Sequence, residues 1–208
     1  FSSFLHQGQI CMSSERLIVH DAVADAFSAG LAARASKLPA GDPAGAVVLG
    51  TLIECSAAEA MRELILDAEG KGAVRVAGGR IEGAVVAATV LDRVTPEMRI
   101  YHEESFGPVK PIIRVASDEE AVRVANDTAY GLSGAIFSRD VNRALKLATR
   151  VQTGILHING PTVGDEAQMP FGGVKDSGYG RFGGRSNIDA FTDLRWITIE
   201  DPNQSYPF

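Results

Sequence analysis

Cys11 sits in the run Gly8-Gln9-Ile10-Cys11-Met12-Ser13, just past a helix stop. A thiol presented on an ordered loop can add to a carbonyl carbon, and its own backbone N–H can face the oxyanion that develops. Gly8 permits close approach of backbone or ligand there. By spacing alone, the commoner meaning of a lone cysteine is a small buried hydrophobe. Cys55 opens an amphipathic helix with no glycine around it and reads as a buried structural thiol. A second chemical segment is His102-Glu103-Glu104-Ser105-Phe106-Gly107-Pro108. Two adjacent carboxylates beside an aromatic ring can hold a polar ligand such as a pair of ribose hydroxyls, and a solvated acidic turn is the alternative. The run from Pro170 to Arg181 is glycine-rich but lacks the G-x-x-x-x-G-K-[ST] order of a phosphate loop, so by itself it reads as a tightly turned surface loop. His6, His20, His102 and His157 show no zinc-ligand spacing, and no metal is expected.

The elements that must position these residues follow from periodicity. Phe1, Phe4 and Leu5 fall on one helical face, stopped at Gly8. Arg16 to His20 reads as a buried strand, and Asp21 to about Leu38 as a helix capped by Asp21, with Val23, Phe27, Leu31 and Ala35 inward. Gly41-Asp42-Pro43 is a turn. A helix over about Ser56 to Glu69 should turn Met61, Leu64 and Ile65 inward. Short strands follow over 73–77, 83–87 and 89–91, then a strong one at Val109 to Val115. From there strand, helix, strand, helix and strand alternate to Ile158, which predicts an α/β fold with a mainly parallel, twisted sheet flanked by helices. Asn159 to Gly184 is a long aperiodic stretch of the kind that usually serves function, and Arg195 to Glu200 reads as a last strand.

Composition narrows the classes. Hydrophobic residues are 45% and charged residues 22% of the 208 positions, which is ordinary globular usage. The net charge of −6, without a lysine or arginine cluster, argues against nucleic acid as a partner. The longest apolar runs, such as Ala84 to Leu91, are far short of a membrane span, and no signal segment opens the sequence, so a cytoplasmic setting is the default. Two cysteines make no disulfide framework. The sequence opens on Phe1 inside an apolar helical pattern, which predicts a cut or processed chain.

Taken together, the segments resemble the aldehyde dehydrogenase superfamily, specifically its catalytic C-terminal part. The matching pieces are GQICMS around Cys11, RLIV at 16–19, GDP at 41–43, HEESFGPV at 102–109, AYGLSGAIFSRD at 129–140, GILHINGPT at 154–162 and MPFGGVKDSGYGR at 169–181, in the family's order. GPTVGDEAQMPFGG at 160–173 and GYGRFGG at 178–184 resemble most the salicylaldehyde, benzaldehyde and vanillin dehydrogenases. The resemblance implies a catalytic domain over 1–190 and an oligomerisation strand and tail over 191–208 that extends a neighbouring copy's sheet. It implies that Cys11 attacks a small, aromatic aldehyde to give a thiohemiacetal and then a thioester, with NAD, or alternatively NADP, as hydride acceptor. Glu104 would bind the nicotinamide ribose and Phe106 lie against the nicotinamide, while Ile10, Met12 and Phe171 would shape an apolar substrate tunnel suited to an aromatic or long aliphatic aldehyde.

Departures qualify these implications. The coenzyme domain, the general-base glutamate of a Glu-Leu-Gly-Gly-Lys-type motif and the oxyanion-hole asparagine have no counterpart among the 208 residues. Phe182 stands where many relatives carry glutamate, and Thr51 and Ala88 replace common prolines. Losing one oxyanion donor costs about 10²–10³ in rate and losing a positioned base roughly 10²–10⁴. These residues alone are therefore expected to make a weak dehydrogenase, with Glu103, His6 and His157 as substitute bases. A non-catalytic interaction module and a coenzyme-independent thiol esterase are the competing readings.

Overall fold

A computed structural model describes residues 1–208. The elements run β1 (Leu17–His20), α1 (Asp21–Ala35), α2 (Cys55–Gly70), β2 (Val74–Ala77), β3 (Ile81–Glu82), β4 (Val85–Val86), β5 (Thr89–Asp92), α3 (Arg99–His102), β6 (Val109–Val115), α4 (Asp118–Asn126), β7 (Ser133–Ile136), α5 (Val141–Ala148), β8 (Ile155–Ile158) and α6 (Gly184–Ala190). The central sheet has the order β1-β6-β5-β2. β1 and β5 both run parallel to β6, in the registers Leu17↔Ile112 and Thr89↔Val109, and β2 closes the far edge antiparallel to β5. β7 and β8 form a separate parallel pair, and β3 with β4 a short hairpin. The mainly parallel α/β architecture expected from the alternation is present.

Each face of the central sheet buries a core. Met61, Leu64, Ile65 and Ala68 of α2 pack with Leu91, Val109, Ile113 and Tyr101 on one side. Ala24 and Ala35 of α1 pack with Val19, Val90, Ile112 and Phe4 on the other. The inward face read for α2 is observed. That for α1 is observed at Ala35 and half-buried Leu31 but not at Val23 and Phe27, which are exposed while Ala24 and Ser28 are buried. The closely packed sheet accepts small side chains, so the bulky pair faces out. His20, rather than Asp21, is the cap of α1, its Nδ1 accepting from the Ala22 N–H at 3.2 Å. α4 carries a reciprocal cap, Ser117 Oγ accepting from Glu120 N and Glu120 Oε2 from Ala116 N.

Gly30 lies in the exposed interior of α1, with no neighbouring atom within 4 Å of where a Cβ would stand. Gly30→Ala is expected to raise unfolding stability by about 1 kcal/mol. Urea titration with an unchanged slope would register this; a lower midpoint would contradict the open environment.

The opening segment is not an α-helix. Leu5–Gly8 is a single tight turn in which His6 (φ 51°), Gln7 (φ 58°) and Gly8 (φ 76°) are all left-handed. Three such residues in a row cannot continue a right-handed helix. No helix is long and apolar enough to cross a membrane.

Candidate active site

The left-handed turn reverses the chain and leads into a second turn closed by Ser13 N donating to Ile10 O at 2.7 Å. Cys11 stands at its exposed corner, flanked by half-buried Ile10 and Met12. The backbone N–H of Cys11 donates to no group of the chain. Cys55, expected to be buried, is exposed at the first residue of α2, because the opening turn of that helix stands clear of the core.

Three sets of contacts hold the Cys11 loop. Gln7 Nε2 donates to Thr51 O at 3.1 Å and Ile53 N donates to Gln9 Oε1 at 3.0 Å, fastening it to the segment before α2. Thr162 is a second anchor. Its hydroxyl donates to Met12 O at 2.7 Å and lies 3.1 Å from Ser14 Oγ, its N–H donates to Ser2 Oγ, and its carbonyl accepts from Ser133 Oγ. One threonine thus joins the thiol loop to β7 and to the long stretch that carries Phe171. The third contact is backbone on backbone: a Cβ on Gly8 would stand 2.3 Å from the Gly107 carbonyl oxygen, so only glycine allows this approach.

Gly107 belongs to the second chemical segment. After α3 the chain passes through extended Glu103 to Phe106, itself left-handed at φ 46°. Glu104 and Phe106 point to solvent, while Ser105 between them is buried. Its N–H and hydroxyl both donate to Glu15 Oε2, at 2.8 and 2.6 Å, and Glu15 Oε1 accepts from Lys110 Nζ at 3.0 Å. Lys110 is wholly buried in β6. Burial pulls its ammonium below the ordinary lysine range, against the pull of Glu15. Glu104 is pushed above the usual carboxylate range, first by partial desolvation of its carboxyl, then by the like charge of Glu15, with Lys110 opposing.

Gln9, Ile53, Ala57, Met61, Glu104 and Phe106 share a cleft of about 230 Å³. Cysteine loop and acidic segment therefore meet at one rim. The exposed Glu104 carboxylate and the exposed Phe106 ring form a polar-plus-aromatic edge that fits a nicotinamide riboside, an acceptor for ribose hydroxyls beside a flat surface. Glu103 and Arg99 line the same cleft. Arg99 holds Glu103 in a two-point pair at 2.7 and 2.9 Å, and that hydrogen bonding keeps its carboxyl below the usual carboxylate range. His6 is exposed on the left-handed turn, and His157 Nε2 is buried on β8 without a hydrogen-bond partner. Phe171 is half-buried and bridges to Phe182 through two 2.7 Å backbone hydrogen bonds. Sequence reasoning missed Glu15, Ser105, Lys110 and Thr162. The available signal was Lys110, a charge in the middle of the apolar residues that open β6, since lysine is seldom fully buried unless paired.

A mainly parallel α/β domain carries an exposed thiol on a loop whose Gly8 packs against Gly107 of the acidic, aromatic segment. Residues 1–197 match the family described as "Aldehyde dehydrogenase family", and the chain belongs to that family. It is 56% identical over 208 residues to a vanillin dehydrogenase of Pseudomonas fluorescens, spanning all of this chain and 43% of that protein. It is 41% identical to a benzaldehyde dehydrogenase [NAD(+)] of Pseudomonas putida, again spanning 43% of the relative. The crystal structure of a salicylaldehyde dehydrogenase from Pseudomonas putida G7 complexed with salicylaldehyde superposes with a TM-score of 0.94 at 50% identity, covering all of this chain and 43% of that one. The chain thus spans less than half the length of these relatives.

Proposed function

We propose that this chain carries the nucleophile of an NAD(P)-dependent aldehyde dehydrogenase that oxidises aromatic aldehydes to carboxylic acids. The carrying observation is the exposed Cys11 thiol on a loop packed against the segment of Glu104 and Phe106. The Cys11 thiolate adds to the aldehyde carbon, giving a thiohemiacetal. The unengaged N–H of Cys11 is one donor to the oxyanion. NAD(P), when bound, supplies the hydride acceptor. Glu104 would accept the ribose hydroxyls and Phe106 would flank the nicotinamide ring. Loss of hydride from the carbon leaves a thioester on Cys11, and water releases the acid. Half-buried Ile10, Met12 and Phe171 provide apolar surface for an aromatic ring, in keeping with the substrates named for the vanillin, salicylaldehyde and benzaldehyde relatives.

The catalytic domain is read as residues 1–190. The tail 191–208 forms no strand within the chain and exposes Phe191, Leu194, Trp196, Ile197 and Ile199, which favours docking on a second copy in a homo-oligomer. Two exposed, unbridged cysteines suit a reducing, cytoplasmic setting.

NADH formation from benzaldehyde or salicylaldehyde, against a short aliphatic aldehyde, tests the reading. Preference for the aliphatic substrate would overturn the aromatic assignment, and absence of turnover in the full polypeptide bearing these residues would overturn the reaction. Glu104→Gln is expected to raise the KM for NAD about tenfold, the loss of a hydrogen bond to a charged acceptor, ~1.5 kcal/mol. Because the carboxyl protonates above the ordinary glutamate value of about 4.3, coenzyme affinity should fall on acidification from a point above that value. In the glutamine variant this acid limb should vanish, and its persistence would assign the limb to another group.

A further inference from the structure

Four residues after the thiol, Glu15 reaches into the base of the neighbouring segment and accepts all three of its hydrogen bonds there. Two come from Ser105, the residue between Glu104 and Phe106, and the third from Lys110, which has no exposed surface. Lys110 also lies under the thiol loop, its Nζ 3.3 Å from where a Gly8 Cβ would stand. The cluster therefore touches both walls of the cleft from below. Of its members only Ser105 reaches the cleft lining; Glu15 and Lys110 do not.

Stability alone does not account for the arrangement. Removing the Lys110 ammonium wholly and the Glu15 carboxylate largely from water is costly, and an apolar pair of like volume is often as stable or more so. β6 already offers apolar neighbours on both sides of residue 110, in Val109 and Ile112. What an apolar pair could not supply is direction. The carboxylate fixes Ser105 through two donors at once, and so fixes the backbone on either side of it. Phe106 is held in a left-handed conformation that an unsupported phenylalanine rarely adopts.

We propose that Glu15, with Lys110 as its buried counter-ion, is a positioning residue that holds Glu104 and Phe106 in register with the Cys11 loop, so that the nicotinamide end of the coenzyme and the thiol are presented at a set separation. The proposal rests on the coenzyme-binding reading of Glu104 and Phe106. A displacement of about 1 Å at such a site can lower the rate by about a hundredfold without any contact being lost to substrate.

The test is the double substitution Glu15→Leu/Lys110→Met in the full polypeptide that carries these residues, which leaves no unpaired buried charge. Amide hydrogen exchange is read at Ser105 and, independently of the substituted side chains, at Gln9 and Ser13 of the thiol loop. All three should exchange at least about tenfold faster, while amides of β5 and β6 keep their protection. The KM for NAD should rise by about tenfold or more, with coenzyme-independent cleavage of a nitrophenyl ester changed less. Unchanged exchange at Gln9 and Ser13 would overturn the coupling. Acceleration across β5 and β6 as well would reduce the pair to a merely structural one. Should the double variant not fold, Ser105→Ala removes one bond to Glu15 and leaves the ion pair whole. Faster exchange at residue 105 and at Gln9 then supports the proposal, and wild-type exchange there opposes it. If the exchange results hold while the wild type oxidises no aldehyde, the reaction assignment fails and the positioning role stands.

Discussion

Cys11→Ala is expected to lower aldehyde-dependent NADH formation by roughly 10⁴–10⁶-fold, the scale seen when a covalent nucleophile is removed. No neighbouring group can take over its bond to carbon. Cys55, the other thiol, lies at the exposed first residue of α2 and not on the loop from Gly8 to Ser13. Because the Cys11 side chain is exposed, the thermal midpoint should hardly move, corresponding to less than about 0.5 kcal/mol. Loss of activity without loss of stability separates a chemical role from a packing one. Cys55→Ala serves as the control and should retain activity. Three outcomes discriminate the readings. Loss of both NADH formation and nitrophenyl ester cleavage supports the dehydrogenase. A wild type that cleaves the ester and never reduces NAD, with cleavage lost in the variant, supports a thiol esterase. Identical behaviour of wild type and variant in every assay leaves an interaction module.

The second large effect is expected on folding. A Cβ on Gly154, at the entry to β8, would stand 1.8 Å from the Gly172 carbonyl oxygen and 3.0 Å from the Gly173 Cα. These are backbone atoms and cannot rotate away. Gly154→Ala should destabilise the protein by about 3 kcal/mol, at the upper end of overpacking costs, or else push aside the strand-like segment at Phe171. That segment is already pinned on its other side by the bridge between Phe171 and Phe182. If Phe171 walls the aldehyde site, residual folded protein should show a raised KM for the aromatic aldehyde. Gly134→Ala, one strand over in β7, is the matched control. Its Cβ would meet Leu156 and Thr153 side chains at an ordinary 3.5 Å, so its effect should stay within about 1 kcal/mol of zero. Chemical denaturation of both variants is the measurement. Equal stabilities would show that the Gly172 carbonyl yields easily.

Several elements were legible because local pattern and tertiary demand agree. Val109 to Val115 is rich in β-branched residues and central, and it forms β6 within those bounds despite Lys110, Pro111 and Arg114. The strand–helix alternation places a helix directly after β6, and α4 begins there, closed by Ser117 and Glu120. α2 alternates charged and apolar residues with helical period, so its inward face, Met61, Leu64 and Ile65, could be read directly. α1 could not be read so. It is alanine-rich, and its apolar residues lie around the whole helix rather than along one stripe. The sheet then chose the side with the smallest residues and left Val23 and Phe27 outside. The opening turn failed for another reason. Left-handed His6 and Gln7 are dictated by the fit of Gly8 against Gly107, a contact 99 positions away along the chain.

The amino-acid sequence by itself determined the family, the parallel α/β order of elements and the identity of the residues with chemical capacity, Cys11, Glu104 and Phe106, because spacing and residue type are properties of the chain. Whether those residues meet was decided only by the tertiary structure. Glu15 and Lys110 lie 95 positions apart, and neither carries a local sign of the other. Their ion pair forms because β1 and β6 run side by side, and the charge buried between them is tolerable only where both partners arrive together. Thr162, likewise, becomes the anchor of the thiol loop only once the chain beyond β8 folds back over Met12. Periodicity records which face of an element is apolar. It carries no information about which distant polar group will satisfy a buried one.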